Sequence, residues 1–295
     1  MTINSNQTTK FKKMKNNYLA TLVAFISICL FTNNTFAQGA YVQVNTGLAF
    51  AMGAQNLDYL DFNNYESNST GSDYTSTREQ VSVSLGKGFN IGGAFGYMFN
   101  EHVGAELGLS YLVGGKSEAN TTERSTNYNS TTDYTLSSKM IRIIPTLVIA
   151  TGGEKINPYA KFGVVIGSGS VLYETNSISD GDIYISNLEL SGGMALGLTS
   201  SIGAMYNLSD NMALFGELNM INMSYAPTKG ETTLATYNGI DELSTMTTNE
   251  KETEFVDSYT YNSASSTSDS QPNQDLKIRL PFGSFGINVG LKINF

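Results

Sequence analysis

Five charged residues carry the chemistry this chain could do: Glu106, Arg142, Lys161, Glu217 and Lys292. Each lies in a run where oily residues alternate with small or polar ones, and each falls on the polar phase of its run. Successive side chains of a strand point to opposite faces, so these five charges converge wherever the strands wrap around a common interior. Charges there must pair or meet water, because an unpaired buried ion is costly. Two arrangements satisfy that condition. One is an ion-pair network that fills the interior; the other is a narrow, weakly cation-repelling water path. Three bases against two acids do not choose between them.

Other reactive groups are few. His102 is the single histidine and sits in a short turn, Asn100-Glu101-His102. Cys29 is the single cysteine and lies in an N-terminal apolar run, after Ile28 rather than the small residue a lipid-attached cysteine requires. A Ser-His-acid or His-carboxylate site has too little to be built from, so no enzyme and no cofactor are expected. Gly86-Lys87-Gly88 followed by Gly92-Gly93 mimics a nucleotide loop but lacks the strand-turn-helix context. Gly86, Gly88, Gly92 and Gly96 fall on the polar phase, where a missing side chain relieves crowding. Asp180-Gly181-Asp182 is the densest acidic pair, too short to assign as an ion site, and no metal site is expected.

The N-terminus is read as a signal peptide over residues 1–37. Lys10, Lys12, Lys13 and Lys15 form its basic part, Tyr18 to Phe31 its apolar part, and Ala37 ends it in Thr35-Phe36-Ala37. An apolar run of this length is short for a membrane span. The remaining chain, 38–295, carries 13 basic and 26 acidic residues and no cysteine. That acidity excludes a nucleic-acid binder, which needs a basic footprint. No later apolar run is long enough for a spanning helix, so a membrane form would have to be a closed barrel.

Strands position the charges. Ala40–Met52 places Val42, Val44, Leu48 and Phe50 on one face and Gln43, Asn45 and Gly47 on the other. The second strand is read from Val81 to Phe99 with the odd positions apolar, and the third from Val103 to Val113. The fourth runs from about Lys139 to Ala150 with Pro145 inside it, a poor residue for a central strand. The fifth spans Tyr159–Gly167, the sixth Leu190–Tyr206, and the seventh starts at Met212. The last alternates to the final residue through Phe285, Ile287, Val289, Leu291, Ile293 and Phe295. Long polar segments, Gly53–Leu85, Gly114–Ser138, Ser168–Glu189 and Thr228–Lys277, separate pairs of strands and hold 21 acidic against six basic residues. Phe255, Tyr259 and Tyr261 offer a further hairpin and a ten-strand alternative. Tyr41, Phe99, Tyr111, Tyr206, Tyr225 and Phe295 are read as interfacial aromatic girdles.

From Gln38 to Phe295 the chain resembles the outer-membrane protein β-barrel family, the group that includes the OmpA membrane domain and OmpX. The resemblance rests on the signal peptide, eight alternating strands, the segments Gly104-Ala105-Glu106-Leu107-Gly108 and Leu214-Phe215-Gly216-Glu217-Leu218-Asn219, and terminal Phe295. It implies an all-β fold: an eight-stranded antiparallel transmembrane β-barrel of a Gram-negative outer membrane, with short periplasmic turns, long external loops and both mature termini periplasmic. It makes Phe285, Ile287, Val289, Leu291, Ile293 and Phe295 the signal read by the outer-membrane assembly machinery. Outer-membrane lipid and lipopolysaccharide are the implied partners, and the acidic loops could bridge to the latter through Ca²⁺ or Mg²⁺, or simply stay solvated. No peptidoglycan-binding domain is expected after the barrel. The expected function is a structural or surface-interaction role with the lumen filled by charged side chains. The alternative is a small-solute channel or porin-like transporter.

Overall fold

The computed structural model describes residues 39–57, 60, 62–260 and 268–295. The expected signal peptide, its Ala37 cleavage position, Cys29 and Tyr261 lie outside the described residues.

The fold is all-β, and period-two alternation accounts for its wall. Eight strands carry it: β1 (Gly39–Ala51), β2 (Gly88–Met98), β3 (Val103–Gly114), β4 (Tyr128–Ala150), β5 (Ile156–Ser179), β6 (Met194–Ser209), β7 (Met212–Ala226) and β8 (Ser284–Asn294). Each pairs antiparallel with the next. Strand β8 pairs back onto β1 from Tyr41↔Asn294 to Ala51↔Ser284. The cycle of ladders leaves no free edge among the eight. Val44 and Leu198 point outward and are 57% and 67% exposed, whereas Gln43 and Arg142 point inward and are 5% and 3% exposed. The outward face is apolar and the inward face polar. The one helix among the described residues, α1 (Thr248–Lys251), is a single turn, and no described helix is long and apolar enough to cross a membrane.

Pro145 stays in β4 because of where its missing N–H points. The ladder to β3 runs through Leu107↔Pro145 without a break. The ladder to β5 passes from Thr146↔Gly163 to Ile143↔Ile166 and skips the pairs between. The register is the same on both sides, so the proline costs a local gap rather than a slip.

The polar segments correct the expectation of eight strands with irregular connections. Nineteen strands form among the described residues, and seventeen share one sheet. Beyond the wall, β4 and β5 continue as a long ladder out to Ser130↔Ser179. On one side are added Ser117–Ser125, Asn63–Thr70 and Asp73–Gln80. On the other are added Asp182–Ser191, Lys229–Tyr237, Glu252–Val256 and Asn273–Leu276. Apart from Ile183, Ile185, Leu188 and Leu190 in Asp182–Ser191, these runs lack apolar alternation, but Thr, Tyr and Ser are acceptable strand residues when they pair across strands. Thr121 lies opposite Thr132, and the Thr132 and Ser177 hydroxyls are 2.9 Å apart.

Four further readings are corrected. Val83 and Leu85 do not begin a wall strand; they are buried, and the wall starts at Gly88. Leu190 belongs to the hairpin arm rather than to β6. Phe255 sits in a short strand of the extension, outside the ring. Tyr41 and Tyr225 are 2% and 0% exposed and point inward, so neither joins an outer girdle.

A buried apolar cluster lies at the ring end opposite the short turns. Wall residues Leu112, Met140, Val165, Ala195, Ile221 and Tyr225 meet Leu57, Phe62, Leu85, Leu190, Leu280 and Phe282 from the long segments. The Tyr225 hydroxyl lies 2.7 Å from both the Gly169 and the Gly192 carbonyls, which share its single proton, and its ring stands edge-on to Phe282.

Candidate functional site

Five charged residues are buried among the described residues, and they are the five on the polar phase: Glu106, Arg142, Lys161, Glu217 and Lys292. Three of them meet. Lys161 Nζ of β5 lies 3.1 Å from Glu106 Oε1 of β3 and 3.4 Å from Glu217 Oε2 of β7. Alternate strands supply the triad, and the residues beside it are small. Glu106 faces Gly96 and Thr146 on its neighbours, Lys161 faces Ser201, and Glu217 faces Gly203. An eight-stranded ring has room only for its own side chains, so long residues need short neighbours.

Both carboxylates are also bonded to tyrosines, residues outside the five-charge set expected from the sequence. The Tyr41 hydroxyl donates to Glu106 Oε2 at 3.0 Å, and the Tyr159 hydroxyl donates to Glu217 Oε2 at 3.1 Å. Asn288 Nδ2 donates to Glu217 Oε1 at 3.1 Å. Each tyrosine lies opposite a glycine, Tyr41 on Gly96 and Tyr159 on Gly203, and a Cβ at either glycine would run into the ring. Parity was the available signal: Tyr41 is in phase with Gln43, and Tyr159 with Lys161. Four carboxylate oxygens thus all accept bonds, as buried charges require.

The other two bases stand apart. Lys292 Nζ lies 3.8 Å from the centre of the Tyr41 ring, a cation–π contact. It also lines a 320 Å³ recess at the short-turn mouth, with Glu101, Asp210, Asn294 and Phe295. Arg142 of β4 is opposite Ser110 of β3, and its Nε and Nη2 reach Ser110 Oγ at 3.2 and 2.7 Å. It lines a polar cavity of about 60 Å³ inside the ring, shared with Asn45, Asn90, Thr146 and Asn219. That space suits a few waters.

Outside the lumen, His102 lies in the β2–β3 turn, its Nε2 3.2 Å from Glu101 Oε1 and its Nδ1 3.2 Å from the Ala150 carbonyl. Asp180-Gly181 forms the tip of the hairpin joining β5 to Asp182–Ser191, with φ of 51° and 99°. Positive φ at both central residues is the two-residue hairpin turn that Asp-Gly favours. Asp180 Oδ1 accepts from the Asn129 amide, and Asp182 Oδ1 accepts from Asn238 Nδ2, both at 2.8 Å. Among the described residues no three His, Cys, Asp or Glu side chains converge to hold a metal ion. In β8, Phe285, Ile287, Val289 and Ile293 are exposed on the outward face, Leu291 is half-buried, and terminal Phe295 is 77% exposed.

Residues 23–249 match the family model described as the outer membrane protein beta-barrel domain. The chain belongs to this family. It is an outer-membrane β-barrel protein, and its oily outer face and polar interior follow from that setting. The family match covers β1 to β7 and ends before β8, the strand whose ladders close the cycle. No curated protein matches the chain.

Proposed function

We propose that this outer-membrane barrel protein has a structural and surface-interaction role, with a lumen closed to solutes and no catalytic task. In this reading β1–β8 are the membrane-spanning wall. The turns at Asn100, Gly152 and Asp210 face the periplasm with both mature termini, and the long sheet extension faces outward. Two apolar outward runs, Val42 to Phe50 and Met212 to Met220, support the wall: each is nine residues long, and a tilted strand needs about 9–11 residues to cross the hydrocarbon core.

The observation that carries the closed lumen is the buried cluster around Met140, Ile221, Tyr225 and Phe282 at the loop end. Below it lies the Glu106–Lys161–Glu217 triad. A solute would have to cross an apolar layer and then an ion-pair layer. The extension then becomes the working surface. It carries most of the acidic residues, and the partners it would meet are lipopolysaccharide and the cell's surroundings.

Planar-bilayer recording on the mature chain, refolded in lipid and checked by circular dichroism, tests this. Silence is expected. Discrete conductance steps that change on substituting Arg142 or Lys161 would overturn the closed lumen and establish the small-solute channel instead.

A further inference from the structure

We infer that the outer face of β2–β4 carries a lipid site, in which three lysines at the loop-end rim take the phosphate of an anionic lipid and a groove beneath them takes one of its acyl chains. The inference rests on the reading of β1–β8 as the membrane-spanning wall. The lysines are Lys87, just before β2, Lys116, just after β3, and Lys139, in the outer half of β4. Lys139 is in phase with outward Ile141 and Ile143 and lies opposite Val113 of β3 and Ser170 of β5. Lys87 accepts the Gly115 amide through its carbonyl. Its Cγ and Cε lie 3.7 and 3.8 Å from where a Gly115 side chain would begin, so the Lys87 stem runs along a bare stretch of β3 toward Lys116.

Charge here runs against its surroundings. The long segments hold 21 acidic and six basic residues. Among the described residues neither Lys87 nor Lys139 has a carboxylate within ion-pair distance. Lys116 has one partner, Glu174 Oε2 at 3.8 Å. Glu118 and Asp133 follow on the same face, further out from the wall. The rest of the wall presents no comparable rim: β1, β6 and β7 contain no base, and the lysines of β5 and β8 point inward.

Below the lysines the wall is indented. Gly93 falls on the outward phase of β2, between Ile91 and Phe95 and opposite Val44 of β1 and Leu109 of β3. Its absent side chain leaves an apolar groove of about 700 Å³, lined by Val44, Ile91, Phe95, Leu107, Leu109 and Tyr111. From Leu107 to Tyr111 it extends about 13 Å along the strand at the usual rise, enough to seat a run of methylenes. Tyr111 is one outward step below Val113, so the groove opens directly under Lys139. A lysine stem lies on an apolar wall while its ammonium stays at the interface, and a phosphate there accepts charge-assisted bonds. Lipid fills such a groove in any membrane; the lysines decide which lipid. A zwitterionic head brings its own cation to the same place and gains less.

Native mass spectrometry of the mature chain, refolded in detergent and titrated with dioleoyl phosphatidic acid or dioleoyl phosphatidylcholine, tests this. Preferential retention of one phosphatidic acid is expected. Its affinity should fall about fivefold in K87Q or K139Q and roughly 25-fold in the pair. K277Q, on the extension, should leave it unchanged. Equal affinity for the two lipids, or a K87Q/K139Q protein that binds as before, overturns the inference. Displacement of the lipid by an equal concentration of inorganic phosphate also overturns it, in favour of a free-phosphate site. Flotation with vesicles separates this result from the wall reading. Protein that floats without lipid preference loses only the site, whereas folded protein that does not float overturns both.

Discussion

Tyr41 and Tyr159 occupy equivalent places on opposite sides of the ring. Each lays its ring over a glycine of the next strand, Gly96 or Gly203, and each donates its hydroxyl to a glutamate one strand further on, Glu106 or Glu217. The two triples are four strands apart, and Lys161 joins them at their carboxylates. The interior is therefore built twice and tied once. Lysine 161 is the member that both halves need.

Replacing Lys161 by Met should leave two buried carboxylates without their cation. The expected loss is about 3–5 kcal/mol, the usual result of removing one partner of a buried pair. Combining K161M with E106Q and E217Q should recover part of that loss, because the neutral amides no longer need a cation. Urea unfolding in lipid vesicles, followed by tryptophan-independent circular dichroism, measures both.

A Gly96→Ala change puts a methyl into the Tyr41 ring, whereas a Cβ at Gly216 has open space around it. G96A should cost about 1–3 kcal/mol as an overpacked interior, and G216A should be close to neutral. Equal effects in the same unfolding assay would show that the Tyr41 ring moves aside freely.

Phe282 is fully buried in the loop-end cluster, edge-on to Tyr225. F282A should cost about 3–5 kcal/mol, as other buried phenylalanine truncations do. The same variant is the one expected to raise background leakage in the bilayer assay, because it thins the apolar layer. Leakage unchanged in a folded variant would move the barrier down to the ion-pair layer.

The Asp182 carboxyl is held below the usual carboxylate range by the Asn238 amide, with help from Tyr237, and the Tyr237 hydroxyl is raised in turn by Asp182. A depressed acid stabilises the folded form above its unfolded pKa, and that contribution is lost as pH falls through the folded value. Asn238 also accepts from the Ile183 amide. Hydrogen exchange at Ile183 should therefore keep its protection as pH falls to the ordinary Asp value near about 3.9 and lose it only below that. In D182N that acid step should vanish.

Phe295 bonds through its amide to the Ala40 carbonyl while its ring stays exposed. If the terminal alternation is an assembly signal, F295S should cut outer-membrane yield in cells yet refold normally from urea in detergent. Loss in both settings would instead make Phe295 a stability residue.

Period-two alternation by itself determined which faces of the wall are oily, which five charges point inward, and that Ser284–Asn294 is a wall strand. Side-chain direction on a strand is a local property, so parity suffices to read it. Parity also held the correct direction of Tyr41 and Tyr225, although their aromatic character suggested a girdle. The extension was not legible, because Ser, Thr and Asn runs such as Ser117–Ser125 pair without any apolar phase to mark them. Which charges meet was likewise not written in any one strand. Lys161 reaches Glu106 and Glu217 while Arg142 is left with Ser110 because the stagger of neighbouring strands sets the height of each side chain in the lumen. That stagger exists only once the ring has closed.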